Sequence, residues 1–293
     1  MMRAALLMIL VCLFIEGPAR AGETEVLQQL SDQGDAQAQL ILGLRYLRGQ
    51  DVPRDPARGA ELIRRSAEQG RLDAQDEIGS LYFRGVGVPQ DYNQALVWWR
   101  KGAEQHYAEA LYNIGVCYES GHGVPQDYAK AADYYRKAAE RGEISAKNNL
   151  GNLYANGHGV SKNDQKAFLF YLEAAEKGNL NAQSSLARFY VTGRGAPAND
   201  EKALFWYRIA AQKGHGDALN GLGFLYVNGR GVAKNQILAY AYFLLATSRG
   251  EQEAQSNGDV IGAKLTPEQK QQAQHLIDGW KPGTLLPEAG TQN

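Results

Sequence analysis

Alanine recurs at Ala38, Ala74, Ala110, Ala146, Ala182 and Ala218, each 36 residues after the last, without insertion or deletion. Tyr46, Tyr82, Tyr118, Tyr154, Tyr190 and Tyr226 keep the same register, as do Gly49, Gly85, Gly121, Gly157, Gly193 and Gly229. Six tandem copies therefore cover about residues 35–250. A fixed period of this length demands one local structure per copy, each copy burying its apolar face against the next. Two independent globular domains are excluded.

The punctuation inside a copy is helical. The first helix is expected to start near the phased alanine, with Asp73, Ser145, Asn181 and Asp217 directly before it as N-caps. It stops at the glycine of a Y-x-x-G segment, the place of a left-handed C-terminal residue. A short turn follows, such as Gly85-Val86-Gly87-Val88-Pro89. The second helix opens at Asp55, Asp91, Asp127, Asn163, Asn199 or Asn235, all good N-caps, and Pro56 suits a first helical position. It ends at Gly70, Gly142, Gly178, Gly214 or Gly250; copy two has His106 there instead.

The flanks read differently. Residues 1–21 have the form of an export signal: Arg3, an apolar run from Ala4 to Ile15, and an Ala19-Arg20-Ala21 cleavage pattern that puts Gly22 first in the mature chain. The apolar run has about twelve residues where a bilayer needs about twenty, so no stable membrane insertion is expected after cleavage. Val11 before Cys12 argues against a lipoprotein site. Cleavage leaves Cys117 as the sole cysteine, so no intramolecular disulfide can form. The expected setting is periplasmic or secreted. Residues 22–34 are expected to cap the array at its start. Residues 251–280 form a degenerate repeat and a last helix opened by the capping box Thr266-Pro267-Glu268-Gln269. Residues 281–293 are expected to be a disordered tail. With a formal net charge of -1, the chain has no basic surplus for phosphates, so nucleic acid is not an expected partner.

The pattern A-x-x-x-L-G-x-x-Y-x-x-G-x-G-V, followed by D-x-x-K-A-x-x-W/Y-Y-x-K-A-A-x-x-G, resembles the Sel1-like repeat. Copy three carries it most fully, from Ala110, Ile114, Gly115, Tyr118, Gly121, Gly123 and Val124 through Asp127, Lys130, Ala131, Tyr134, Tyr135, Lys137, Ala138, Ala139 and Gly142. Copy one departs at Asp51, and copy five at Ala187 and Ala196. The resemblance implies an all-α, α/α-solenoid superhelix of helix-turn-helix repeats, related to tetratricopeptide arrays. It also implies a non-enzymatic adaptor for a protein or peptide partner in the bacterial envelope, such as a regulator of a membrane sensor or complex. A secreted host-interaction factor is a further reading, after the rival reading of a cell-wall-active enzyme. That rival resembles a cysteine-rich branch linked to β-lactamase and penicillin-binding activity, whose paired cysteines this chain lacks.

No catalytic set or cofactor is expected. S-x-x-K, S-D-N, K-T-G, G-x-S-x-G and H-E-x-x-H do not occur. Cys117 takes the place of Leu81, Leu153, Phe189 and Leu225, so a buried thiol is expected. His122 and His158 share one turn position, but adjacent copies lie about 10 Å apart, too far for two imidazoles on one metal. They read as exposed turn residues. The tyrosine ladder with Trp98-Trp99, Tyr134-Tyr135 and Trp206-Tyr207 reads as packing between copies rather than a carbohydrate surface.

Helical phasing locates a candidate surface. At about 100° per residue, the regular positions of the first helix share one side and the variable ones the other. The variable side carries Asp76, Tyr112, Asn148, Ser184 and Asn220, then Glu77, Asn113, Asn149, Ser185 and Gly221, then Ser80, Val116, Asn152, Arg188 and Phe224. Asparagine is a poor helix former whose amide both donates and accepts, which suits pairing with peptide backbone. Tyr112, Asn113, Asn148, Asn149, Asn152, Arg188 and Asn220 are the expected partner-binding residues. The resemblance implies that this side lines the concave groove.

Overall fold

The computed structural model describes residues 21–287, and within them there are fifteen helices and no strand. Helix α1 (Ala21–Asp32) precedes six copies of a 13-residue helix pair. The pairs are α2 (Ala36–Arg48) with α3 (Pro56–Glu68), α4 (Leu72–Arg84) with α5 (Tyr92–Glu104), and α6 (Ala108–Ser120) with α7 (Tyr128–Glu140). They continue as α8 (Ile144–Asn156) with α9 (Asp164–Glu176), α10 (Leu180–Thr192) with α11 (Asp200–Gln212), and α12 (Gly216–Asn228) with α13 (Gln236–Ser248). Helices α14 (Gln252–Gly262) and α15 (Pro267–Asp278) close the array. The chain is an α/α-solenoid. It divides into two compact units, one ending at Ala110 and one beginning at Leu111. The expected export signal lies outside the described residues except for Ala21, which opens α1.

Caps explain where the second helices begin. Asp55, Asp91, Asp127, Asn163, Asn199 and Asn235 each accept a backbone N–H with the side chain at the N-cap. First helices end on left-handed Gly49, Gly85, Gly157, Gly193 and Gly229. The two sequence departures keep the backbone and change only the residue: Asp51 and His106 are the non-glycine residues with positive φ, at 58° and 59°. The expected N-caps of the first helices need correction. Caps lie at Arg71, Glu143, Asn179 and His215, two residues earlier than Asp73, Ser145, Asn181 and Asp217, and Asp35 caps copy one in the same register. The cause is the left-handed glycine closing each second helix, after which one extended residue suffices to turn the chain. Asn181 and Asp217 are thereby released from capping.

Within a copy, a small residue on the first helix receives a large one from the second. A Cβ on Gly79 would lie 2.6 Å from Trp99, on Gly115 2.7 Å from Tyr135, on Gly151 2.6 Å from Tyr171, and on Gly223 2.5 Å from Phe243. Copy five breaks this rule at Ala187. There the Tyr207 ring lies instead against Gly221 of the following copy, where a Cβ would clash with it. The aromatic register is therefore partly intra-copy, contrary to the expected packing between copies: Tyr118 stacks on Tyr134, Tyr154 on Phe170 and Tyr226 on Tyr242, with centroids 5.6–5.7 Å apart. Tyr135, Tyr171 and Tyr207 are buried, and Cys117 is fully so.

Between copies, the turn glycine sets the approach. In the first unit, a Cβ on Gly87 would fall on the Pro56 carbonyl. In the second, Gly159, Gly195 and Gly231 face the backbone of Tyr128, Asp164 and Asp200, each the first residue of the preceding copy's second helix. The position read as an exposed turn is a second clamp. Arg194 forks onto Asp164 and donates to the Ala155 carbonyl (2.8 Å), and Arg230 repeats this with Asp200 and the Val191 carbonyl (2.8 Å). The His158 ring instead lies tilted against Tyr128, 4.8 Å between centroids. Arg194, Arg230 and the exposed His158 thus reach back one copy, whereas His122 Nδ1 meets Ser120 Oγ of its own copy at 2.7 Å.

The expected disordered tail also needs correction through Pro287; residues 288–293 lie outside the described residues. Leu286 is 2% exposed, Gly283 N–H donates to the Gln212 carbonyl (2.6 Å), and Arg249 lies 5.1 Å over the Trp280 ring. Apolar Leu285 and Leu286 give this segment a reason to pack that its proline and glycine concealed.

Three alanine substitutions separate space from backbone strain. Gly178→Ala has a φ of 89° and open space around it, so it should cost about 1 kcal/mol. Gly151→Ala overpacks Tyr171 and should cost about 1–3 kcal/mol. Gly195→Ala meets both penalties against the Asp164 carbonyl and should be the most destabilising. Urea midpoints should fall in that order.

Candidate functional site

The first helices of copies four, five and six bring the asparagine cluster into an open groove of about 650 Å³. Asn148, Asn149 and Asn152 line it from α8, and Asn181 and Ser185 from α10. His215, Gly216 and Asp217 line it from the start of α12, and Arg249, Gly250 and Glu251 from the junction before α14. Three of the seven expected binding residues are thus brought together. The other four lie outside the lining. Tyr112 is half-buried, its ring 5.6 Å from that of Tyr135 and its hydroxyl bonded to Asn149. Burial holds that hydroxyl above the usual phenol range. Asn113 is half-buried on α6, and Arg188 is exposed on α10. Asn220 Oδ1 accepts from Asn257 Nδ2 at 3.0 Å.

The expected open polar face is also more buried than phasing implies. Asn148, Ser184 and Ser185 are 5%, 1% and 7% exposed. Neighbouring first helices close over these positions. Polar groups there must find partners or pay for desolvation. Most do: Tyr171 Oη donates to Asn152 Oδ1 (2.8 Å), and Ser184 Oγ to Asp217 Oδ2 (2.7 Å). Asn148 Nδ2 donates to Asn149 Oδ1 (3.2 Å), but Asn148 Oδ1 is buried with no partner.

His215 is a second acceptor of this kind. Its Nε2 lies 2.9 Å from Asn181 Oδ1, which can only accept, so the proton sits on Nε2. Nδ1 is then an acceptor, buried and unpartnered. Burial pushes the imidazole pKa below its ordinary 6.5, against the opposing pull of Asp217 and Glu251. The groove therefore presents a neutral imidazole, a half-used amide and two carboxylates. Sequence reading missed Asn181, His215, Asp217, Arg249 and Glu251. Asn181 and Asp217 were absorbed as caps; once the true caps are known, their side chains bridge copies. Among the described residues, no cluster of three His, Cys, Asp or Glu side chains is arranged to hold a metal, and no helix is long and apolar enough to cross a membrane.

The Sel1 repeat family model matches residues 36–70, 72–107, 108–143, 144–179, 180–215 and 216–251, in step with the six helix pairs. The chain belongs to the Sel1 repeat family. A Sel1 repeat protein from Oxalobacter formigenes is 32% identical with a TM-score of 0.70, the match covering 78% of this chain and all of that one. A protective antigen of uropathogenic Escherichia coli with the same repeat fold is 29% identical with a TM-score of 0.58, over 87% of this chain and 62% of that one. An immunity protein of Pseudomonas aeruginosa, at 22% identity and a TM-score of 0.50, shares the fold. No curated protein matches the chain. Membership in a family of Sel1 repeats suggests a scaffold for protein–protein interaction.

The neutral His215 gives a pH test. The native state holds fewer protons than the unfolded chain just below pH 6.5, so stability is present above that value and is lost as pH falls through the depressed native pKa. The thermal midpoint should decline across this window. In His215→Gln that part of the decline should disappear.

Proposed function

We propose that the chain is an exported, non-enzymatic scaffold that grips an extended segment of a protein partner in the groove formed by α8, α10 and α12. The observation that carries this reading is the pair of buried, unpartnered acceptors, Asn148 Oδ1 and His215 Nδ1, in one groove. A buried acceptor without a donor costs about 1–3 kcal/mol. Both atoms are closed off from solvent in the free protein, so a partner's donors would remove that cost once Asn148 and His215 turn these acceptors toward the groove. At the groove the Ser184–Asp217 and His215–Asn181 hydrogen bonds tie copies five and six together, which limits the ordering entropy lost on docking. The signal pattern over residues 1–21 supports a periplasmic or secreted setting.

A photocrosslinking residue at exposed Asn181, in the groove wall, should give a discrete adduct with a partner in intact cells. The same residue at exposed Glu201, on the second helix of copy five, should not. Equal adducts at both positions, or adducts only at Glu201, would move the binding surface elsewhere.

A further inference from the structure

We propose that Arg188, Phe224 and Val260, a row across α10, α12 and α14, recognise an extended protein segment that carries an apolar side chain and, three residues away, a carboxylate. The row lies outside the groove lining, and the inference stands whether or not the groove binds.

Val97, Leu169, Phe205, Phe224 and Val260 are the large apolar side chains left exposed among the described residues. Apolar residues exposed singly need no explanation. Phe224 and Val260 are paired. They stand 36 residues apart, at the same place on the first helix of copy six and on α14, its degenerate successor. Asn257 Nδ2 donates to Asn220 Oδ1 across these two helices (3.0 Å), which sets α14 beside α12 in the register of the array. Packed helices lie about 8–10 Å apart, so one apolar side chain of a partner can touch both residues. The fold does not demand them: the position is Ser80, Val116, Asn152 and Arg188 in the earlier copies.

Arg188 holds that place on α10, which the Ser184–Asp217 hydrogen bond ties to α12. It is exposed, and its guanidinium has neither ion pair nor hydrogen bond among the described residues. Arg194 and Arg230, by contrast, are spent on Asp164 and Asp200. The Tyr171 and Tyr207 hydroxyls feel the Arg188 charge but do not cancel it. Burial holds both above the usual phenol range, Tyr171 pushed up to about 12, so both stay neutral. Asp217, which faces Tyr207 from α12, accepts from Ser184. An unpaired cation one copy from an exposed apolar pair is complementary to a carboxylate near an apolar side chain. The spacing follows from the array. An extended chain advances about 3.3 Å per residue, so three residues cover the step of about 10 Å between neighbouring helices.

Gly-Ser decapeptides carrying Glu and Leu three positions apart, made in both orders, test this against the chain with isotope-labelled methyl groups and side-chain amides. In the better order the peptide should shift the Val260 methyl signals. It should bind about tenfold more tightly than the version with Ser for Leu, and about threefold more tightly than the version with Gln for Glu. Arg188→Gln should erase the preference for Glu and keep that for Leu; Phe224→Ser should do the reverse. Phe205→Ser removes an equally exposed ring from a second helix and should change neither. All three side chains are exposed, so thermal midpoints should stay near that of the wild type. Preferences that survive both Arg188→Gln and Phe224→Ser, or that vanish in Phe205→Ser, would overturn the proposal. So would a peptide that shifts the Asn181 amide and leaves Val260 unmoved, an outcome that keeps the groove reading intact. No shift of Val260 by millimolar peptide in either order would also overturn it.

Discussion

The structure depends on a backbone-to-backbone contact that only glycine permits. Gly87, Gly159, Gly195 and Gly231 each sit in a left-handed turn pressed against the first residue of the preceding copy's second helix. That contact fixes how far each copy stands from the one before it within each unit. Everything that bridges copies assumes this spacing. Arg194 reaches both Asp164 and the Ala155 carbonyl only because the turn is held there, and Arg230 does the same with Asp200 and Val191. A longer turn side chain would push the copies apart and open the interface that the alanines fill. Ala182, Ala210, Ala211 and Ala218 are wholly buried at these closely spaced surfaces, where a larger residue has no room.

Much of the fold was legible because repeat punctuation is local chemistry. Asp or Asn at each second-helix start and Gly at each first-helix end act within a few residues of themselves, so the sequence displays them directly. Even the departures carried information: His106 replaces a glycine yet keeps a φ of 59°. The first-helix caps were misplaced because Asp and Asn also fit two positions later. Sequence cannot separate a cap from a second-turn residue without knowing where the previous helix stops. The packed tail to Leu286 was hidden for a different reason. Its burial depends on the Gln212 carbonyl and Gly214, far away in the chain.

The groove was half legible. Helical phasing identified Asn148, Asn149 and Asn152, since they share a helix and their spacing fixes a common side. It could not identify Asn181, His215, Asp217 or Glu251, which come from three other segments and converge only when copies stack. Tyr112, Arg188 and Asn220 have the right phase but lie outside the lining. Phase along one helix says nothing about which stretch of the array is hollow. The same stacking buries Asn148 and His215 Nδ1, and that burial turns ordinary polar residues into a site with unmet hydrogen-bonding capacity.

The central claim is that Asn148 Oδ1 is kept unpaired for a ligand and not for the fold. The most direct test is the urea midpoint of Asn148→Leu without any partner. Leucine has nearly the shape of asparagine; it removes a buried acceptor whose solitude costs about 1–3 kcal/mol and gives up the 3.2 Å donation to half-buried Asn149. The account predicts that the variant is at least as stable as the wild type, and more stable by up to about that amount. A midpoint lowered by the several kcal/mol typical of a broken buried polar network would show that Asn148 serves the fold, and would contradict the account.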